Sequence, residues 1–202
     1  MTMRRGAIVL CGGKSQRMGS SKAMLPFGPE TMLERVIRLL GESVESVVAV
    51  AAPGQQLPPL PKQVTVVRDR REGRGPLEGL AVGLAASRQT ADCVYATGCD
   101  VPLLQAAFVQ RLFQLAQRHE IVVPIDGSYH HPLSAVYRTR VLPHVERLLA
   151  ADRLRPIYLF DEVDTLEVPV EELRDVDPQL ETLENVNRPE QYRTALQKAG
   201  LG

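Results

Sequence analysis

The chain has no excess charge of either sign: lysine plus arginine equals aspartate plus glutamate at 24 each, so the formal net charge is zero. Nothing in its overall charge draws the molecule to nucleic acid or to an anionic lipid surface, and any anion it binds must be met by local groups. Long apolar runs are missing too. None approaches the ~18 residues of a membrane span, and the apolar stretch from Gly6 to Cys11 is too short for a signal-peptide core and runs straight into glycines. Cysteine is scarce: Cys11, Cys93 and Cys99 are an odd number without a Cys-x-x-Cys pair. That argues against a disulfide framework or a cysteine-based zinc site and fits a reducing cytoplasm. With no repeat, low-complexity tract or interdomain linker, 202 residues at 44% hydrophobic are expected to form one domain spanning residues 1–202.

What is present alternates between strand and helix patterns. Ala7 to Cys11 reads as a buried strand, followed by a polar loop from Gly12 to Gly19. Met32, Leu33, Val36, Ile37 and Leu40 then fall at helical spacing, with Thr31 as N-cap and Glu34 three residues on. Val44 to Ala52 is a second strand, Pro53 to Pro61 a proline-rich loop, and Val64 to Val67 a short β-branched strand. After a polar loop from Asp69 to Pro76, Leu77 to Ala86 reads as a helix, Cys93 to Thr97 as a strand, and Phe108, Leu112 and Leu115 as a helix face. The second half is less regular: strands are expected over Ile121 to Pro124, Leu133 to Tyr137 and Thr165 to Val168, and helices over Val141 to Ala150 and Glu190 to Lys198. The alternation implies a Rossmann-like three-layer α/β/α fold with a mostly parallel sheet, in which ligands bind beyond the carboxyl ends of the strands.

The loop after the first strand is the most informative segment. A P-loop would need glycine at position 8, which is Ile8, and the dinucleotide pattern would need glycine at position 14, which is Lys14. What remains is a glycine-bearing loop that can offer backbone N–H groups to phosphate oxygens, with Arg17 and Lys22 supplying positive charge. An ordinary βα loop with solvated basic residues has the same composition. Asp100 stands just past the Cys93 to Thr97 strand and before Pro102, where a carboxylate can hold a hard cation or merely close a turn. Asp69 lies in the run Asp69-Arg70-Arg71-Glu72, which by itself is a solvated charge run. His130 and His131 are adjacent and so face opposite ways on an extended chain, unable to share one metal. His119 and His144 read as surface residues on helical segments. Cys11 and Cys99 border the loop but have no histidine at a spacing that would activate them.

The run L-x-G-G-x-x-x-R-M-G-x-x-K, from Leu10 to Lys22, resembles the signature loop of the molybdenum cofactor guanylyltransferases, within the wider nucleotidyltransferase family. Further matches are Gly75-Pro76-Leu77-Glu78-Gly79-Leu80, Gly98-Cys99-Asp100-Val101-Pro102, His131 to Tyr137, and Asn185-Val186-Asn187-Arg188-Pro189-Glu190, in the same order and spacing. The resemblance implies GTP and a molybdopterin-type molybdenum cofactor as substrates, Mg2+ as cofactor, and passing contact with cofactor-synthesis or molybdoenzyme-maturation proteins. It implies that Leu10, Cys11, Gly12, Gly13, Lys22, Asp69, Gly79 and Asp100 bind the nucleotide, that Arg17, Lys22 and Asp100 serve catalysis, and that Asp100 is the metal ligand. His131, Asn185 and Asn187 fall on the acceptor side. Two departures stand out: relatives often carry a small residue where this chain has Glu78, and an asparagine at the end of the second strand, where this chain has Val48-Ala49-Val50-Ala51-Ala52. A cytidylyltransferase is the nearest rival, although that group usually has Leu-Ala-Ala-Gly in the first loop. Another nucleoside triphosphate used on a sugar or alcohol phosphate, and a nucleotide-binding module without turnover, are the remaining alternatives.

Overall fold

The computed structural model describes residues 3–12, 21–70 and 73–202. β1 (Arg5–Leu10) leads, after the loop and a single 3-10 turn at Lys22–Met24, to a small hairpin of β2 (Pro26–Phe27) and β3 (Glu30–Thr31). Then come α1 (Met32–Leu40), β4 (Ser46–Ala51), β5 (Val64–Arg68), α2 (Gly75–Ser87), β6 (Cys93–Gly98) and α3 (Ala106–Leu115). The second half adds β7 (Ile121–Asp126), β8 (Tyr129–His130), β9 (Ser134–Arg138), α4 (Leu142–Ala150), the short α5 (Ile157–Phe160), β10 (Thr165–Pro169) and α6 (Pro189–Lys198).

One sheet joins both halves in the order β10-β7-β9-β6-β1-β4-β5, with β8 paired to β7. The β6–β1–β4–β5 and β7–β10 pairings are parallel, while β9 runs antiparallel to both β6 and β7. The mostly parallel sheet expected from the alternation is therefore present, with β9 and the two-residue β8 as its reversed strands. The two-residue period of β1 shows how the layers arise. Ala7, Val9 and Cys11 pack on the face covered by α1 and α3, through Leu33, Val36, Phe108 and Leu112, whereas Ile8 packs under α2 and α4, through Leu80, Leu84, Val145 and Leu148.

Local chemistry explains most of the boundaries. Thr31 accepts from the Glu34 N–H at 3.3 Å while the Glu34 carboxylate accepts from the Thr31 N–H at 2.7 Å, the reciprocal cap that the sequence predicts for α1. The Asp69 to Pro76 loop is shorter than expected, because Gly75 and Pro76 already form the first turn of α2, where a proline loses no helical hydrogen bond. α2 is buried on nearly every side. A Cβ added to Gly83 would lie 2.5 Å from Ile8 Cγ2, so glycine is what lets this helix press onto β1. His119 is a correction: it lies past the end of α3, with Nδ1 3.2 Å from the Asp164 carboxylate. His144 is on α4, half-buried, with Nδ1 3.7 Å from Glu162.

A third, smaller apolar cluster docks the C-terminal helix against the β2–β3 hairpin through Phe27, Met32, Leu103, Val186 and Ala195. Tyr192 meets the Phe27 ring edge-on at 6.2 Å and donates its hydroxyl to the Pro26 carbonyl. Arg35 lies 4.8 Å over the same Phe27 ring and donates to the Pro102 carbonyl at 2.6 Å. This packing brings residues 185–187 to the strand ends.

Candidate active site

Register places the site. Leu10 pairs with Val50 on one side and Gly98 on the other, so β1, β4 and β6 end level with one another. The first residues past that edge are Cys11 and Gly12 after β1, Cys99 and Asp100 after β6, and Asp69 after the adjoining β5. Ladder bonds continue into these residues: Cys11 N–H donates to Val50 at 2.8 Å, Cys99 N–H to Leu10 at 3.1 Å, and Asp69 N–H to Ala51 at 2.9 Å. Residues far apart in sequence are thereby fixed at the carboxyl edge, the place where open α/β sheets bind ligands.

One group of residues is ionic. Lys22 Nζ lies 2.8 Å from Asp100 Oδ2 and donates to Asn187 Oδ1 at 2.5 Å. The Lys22 and Asp100 side chains are only 16% and 20% exposed, enough shielding to strengthen their attraction over that of a solvated pair. The Val186 N–H donates to the Asp100 carbonyl at 2.8 Å, and the Asn187 N–H to Gln191 Oε1 at 2.9 Å, so both ends of the cluster are tied down. A Cβ on Gly98 would fall 2.4 Å from Asp100 Oδ1, so glycine there leaves the carboxylate its place.

The second group surrounds Asp69. Its Oδ1 is buried with no hydrogen-bond partner among the described residues, and its carboxyl pKa is raised by burial and then by the nearby Glu78 charge. Asp69 is thus not the solvated residue that its charge run suggests. Gly12 and Gly79 flank it: a Cβ on Gly12 would lie 3.3 Å from Asp69 Oδ2, and one on Gly79 would lie 2.9 Å from Leu10 Cδ2 and 3.4 Å from Asp69 Oδ1. An unpaired buried acceptor costs stability, and here it sits beside two glycines at a strand edge.

The remaining candidates divide. Gly13 and Arg17 lie outside the described residues. Asn185 is exposed and, among the described residues, makes no hydrogen bond to the Lys22–Asp100 pair. His131 is half-buried in the turn before β9, edge-on to Tyr129 at 5.0 Å, and burial lowers its pKa, which favours the neutral ring. His130 turns elsewhere, with Nε2 2.7 Å from Glu167 and its ring against Phe160. Cys11 is buried, and the neighbouring Cys99 thiol, together with burial, pushes its thiol well above the ordinary range. A protonated, enclosed thiol is a poor nucleophile. Sequence reading missed Gln55, whose side chain reaches both Cys11 and Ser21. No motif could have marked a lone glutamine in a proline-rich loop. It also left open Glu78, which is 7% exposed with its carboxylate 3.8 Å from Arg74 Nε.

Comparisons with known proteins place the chain in a family. The MobA-like NTP transferase domain family matches residues 7–165. A probable molybdenum cofactor guanylyltransferase of Methanosarcina acetivorans is 34% identical over 96% of this chain and 91% of its own length. One of Mycobacterium ulcerans is 40% identical over 78% of this chain and 80% of its own. Among solved structures, molybdopterin-guanine dinucleotide biosynthesis protein A from Archaeoglobus fulgidus superposes with a TM-score of 0.78 at 19% identity, covering 97% of this chain and 98% of that one. The 2-C-methyl-D-erythritol 4-phosphate cytidylyltransferase of Thermus thermophilus superposes at 0.71 with 16% identity, over 99% of this chain and 100% of its own. At such identities these two likenesses speak for the fold alone.

Proposed function

The chain belongs to the MobA-like NTP transferase family, and from that premise we propose that it transfers GMP from GTP to the terminal phosphate of a molybdopterin-type molybdenum cofactor, releasing pyrophosphate. The observation that carries the reading is the meeting of Lys22 and Asp100, 78 positions apart in sequence, at the carboxyl edge of the sheet, in a chain whose relatives bear the guanylyltransferase name.

In this reading an acceptor phosphate oxygen attacks the α-phosphorus of GTP in line, the bond from that phosphorus to the bridging oxygen breaks, and pyrophosphate departs. The acceptor brings its own nucleophile, so a buried neutral Cys11 is no obstacle. Such transfers depend on positioning and on stabilising charge. The backbone of Leu10, Cys11 and Gly12 lines the triphosphate, and Lys22 exchanges part of its pairing with Asp100 for phosphate oxygens. Gly13 and Arg17 join them on the strength of sequence alone. Asp69 Oδ1 accepts from a nucleoside N–H or O–H, with Gly79 leaving room, while Asn187, Asn185 and His131 face the acceptor.

Magnesium fits the donor set. The described residues contain no group of three or more His, Cys, Asp or Glu that could cage a metal, but Mg2+ commonly takes one or two carboxylates plus substrate phosphates. Asp100, in the space that Gly98 leaves, supplies that carboxylate. When bound, the ion would neutralise charge on the triphosphate. No helix among the described residues is long and apolar enough to cross a membrane, and a cytoplasmic setting suits both substrates. Passing contact with cofactor-synthesis or molybdoenzyme-maturation proteins would deliver the acceptor and remove the product.

Two experiments bear on the nucleotide. In equilibrium binding with GTP, CTP, ATP and UTP at fixed magnesium, GTP is expected to bind most tightly. CTP binding as tight as GTP would remove the guanine assignment and favour the cytidylyl rival. Asp69→Asn separates binding from stability. Because the folded-state pKa of Asp69 is raised, its ionised form opposes folding at neutral pH, an effect relieved as the pH falls through that pKa. The variant should therefore melt at the same temperature or slightly higher while binding GTP more weakly. A variant with undiminished affinity would show that this carboxylate does not touch the nucleoside.

A further inference from the structure

Gln55 lies in the loop after β4 and uses both ends of its amide. Its Oε1 accepts from the Ala52 N–H at 2.9 Å, and its Nε2 donates to the Cys11 carbonyl at 2.8 Å and to Ser21 Oγ at 3.1 Å. The Gln55 N–H also donates back to the Ala52 carbonyl at 3.1 Å, which closes the turn that carries the side chain. One half-buried amide thus joins three segments: the exit of β4, the exit of β1, and the residue immediately before Lys22. Ser21 in turn opens the 3-10 turn of Lys22, where Met24 N–H donates to Ser21 at 2.9 Å and Leu25 N–H to Lys22 at 3.2 Å.

We propose that Gln55 is a positioning residue for the transfer reaction, anchoring Ser21 to the end of β1 so that Lys22 stands at Asp100. The proposal rests on the function given above. The chemistry is particular to a primary amide, which combines two donors on nitrogen with an acceptor on oxygen. A carboxylate could keep the Ala52 bond but has no hydrogen to give the Cys11 carbonyl. Asparagine lacks one methylene of the reach. Reactions governed by positioning are sensitive to such anchors, since a shift of about 1 Å can cost about a hundredfold.

A purely local role is the competing account: Gln55 would only close its own turn through Ala52. Gln55→Glu separates the two because it retains that bond, and Gln55→Met, of similar length, removes all three. If the amide positions Lys22, both variants should lose about ten- to a hundredfold in kcat/KM for GTP, with kcat falling more than KM rises. The melting temperature of Gln55→Glu should stay near that of the parent. Without any nucleotide, hydrogen exchange at the Met24 and Leu25 amides should be faster in Gln55→Glu. Parental exchange at these amides, or parental kinetics in Gln55→Glu, would overturn the proposal. A parent protein that turns over none of the four triphosphates would refute the function instead, and the exchange arm would then decide the role of Gln55 by itself.

Discussion

Asparagine in place of Asp100 should lower GMP transfer by about a hundredfold or more, with several kcal/mol of transition-state stabilisation lost, while the melting temperature hardly changes. The substitution is nearly isosteric and keeps an oxygen that can accept from Lys22 Nζ, now 2.8 Å from the carboxylate. The backbone bond from Val186 N–H to the Asp100 carbonyl does not involve the side chain. What the variant loses is negative charge, which a hard divalent cation requires. Raised magnesium should restore part of the rate. If Asp100 serves only to pair with Lys22 or to close the turn after β6, asparagine serves almost as well, and near-parental turnover across a magnesium titration would refute the metal-ligand assignment.

Lys22→Ala should also cost about a hundredfold or more in turnover, the usual consequence of deleting a group aimed at transition-state charge. Stability should fall only slightly, because Lys22 contributes one partly shielded ion pair and its stem lies in a single 3-10 turn outside the helical layers. The apolar anchor of that turn is Ala23, which is fully buried and unaltered by the substitution. An unfolded Lys22→Ala protein would assign the residue to the scaffold. A folded protein with parental turnover would remove it from the chemistry.

The fold was legible where local patterns are strong. The heptad-like spacing and capping residues of α1 specify both its face and its first turn, and the apolar run of β1 carries its two-sided burial. The helix α2 was legible from Leu77 onward, but its first turn at Gly75 and Pro76 was read as loop, and small residues bury it all round and leave no polar face to mark its orientation. Strand direction is a different matter, since a two-residue period is the same in either sense; that β9 runs against its neighbours is decided by tertiary pairing. The two-residue strands of the β2–β3 hairpin and β8 are too short to show a period at all.

The residues of the candidate site were legible as a set of motifs, but their geometry was not. Lys22, Asp100 and Asn187 come from three distant segments, and only the C-terminal helix docking on Phe27 and Leu103 brings the last of them in. Asp69 illustrates the limit of charge patterning. In sequence it begins a run of charged residues, yet the end of β5 draws its carboxylate under Gly12 and Gly79. Gln55 carries no sequence signal, because its importance lies in three bonds to segments that approach one another only in the folded chain.

The most direct test uses GTP labelled at the α-phosphate, incubated with the protein, magnesium and purified molybdenum cofactor. Label should pass to a guanylylated cofactor with one pyrophosphate released for each GMP transferred, and omission of either magnesium or acceptor should abolish both products. Label that stays in GTP, or appears as free GMP without acceptor, would contradict nucleotidyl transfer to the cofactor as the activity of this chain.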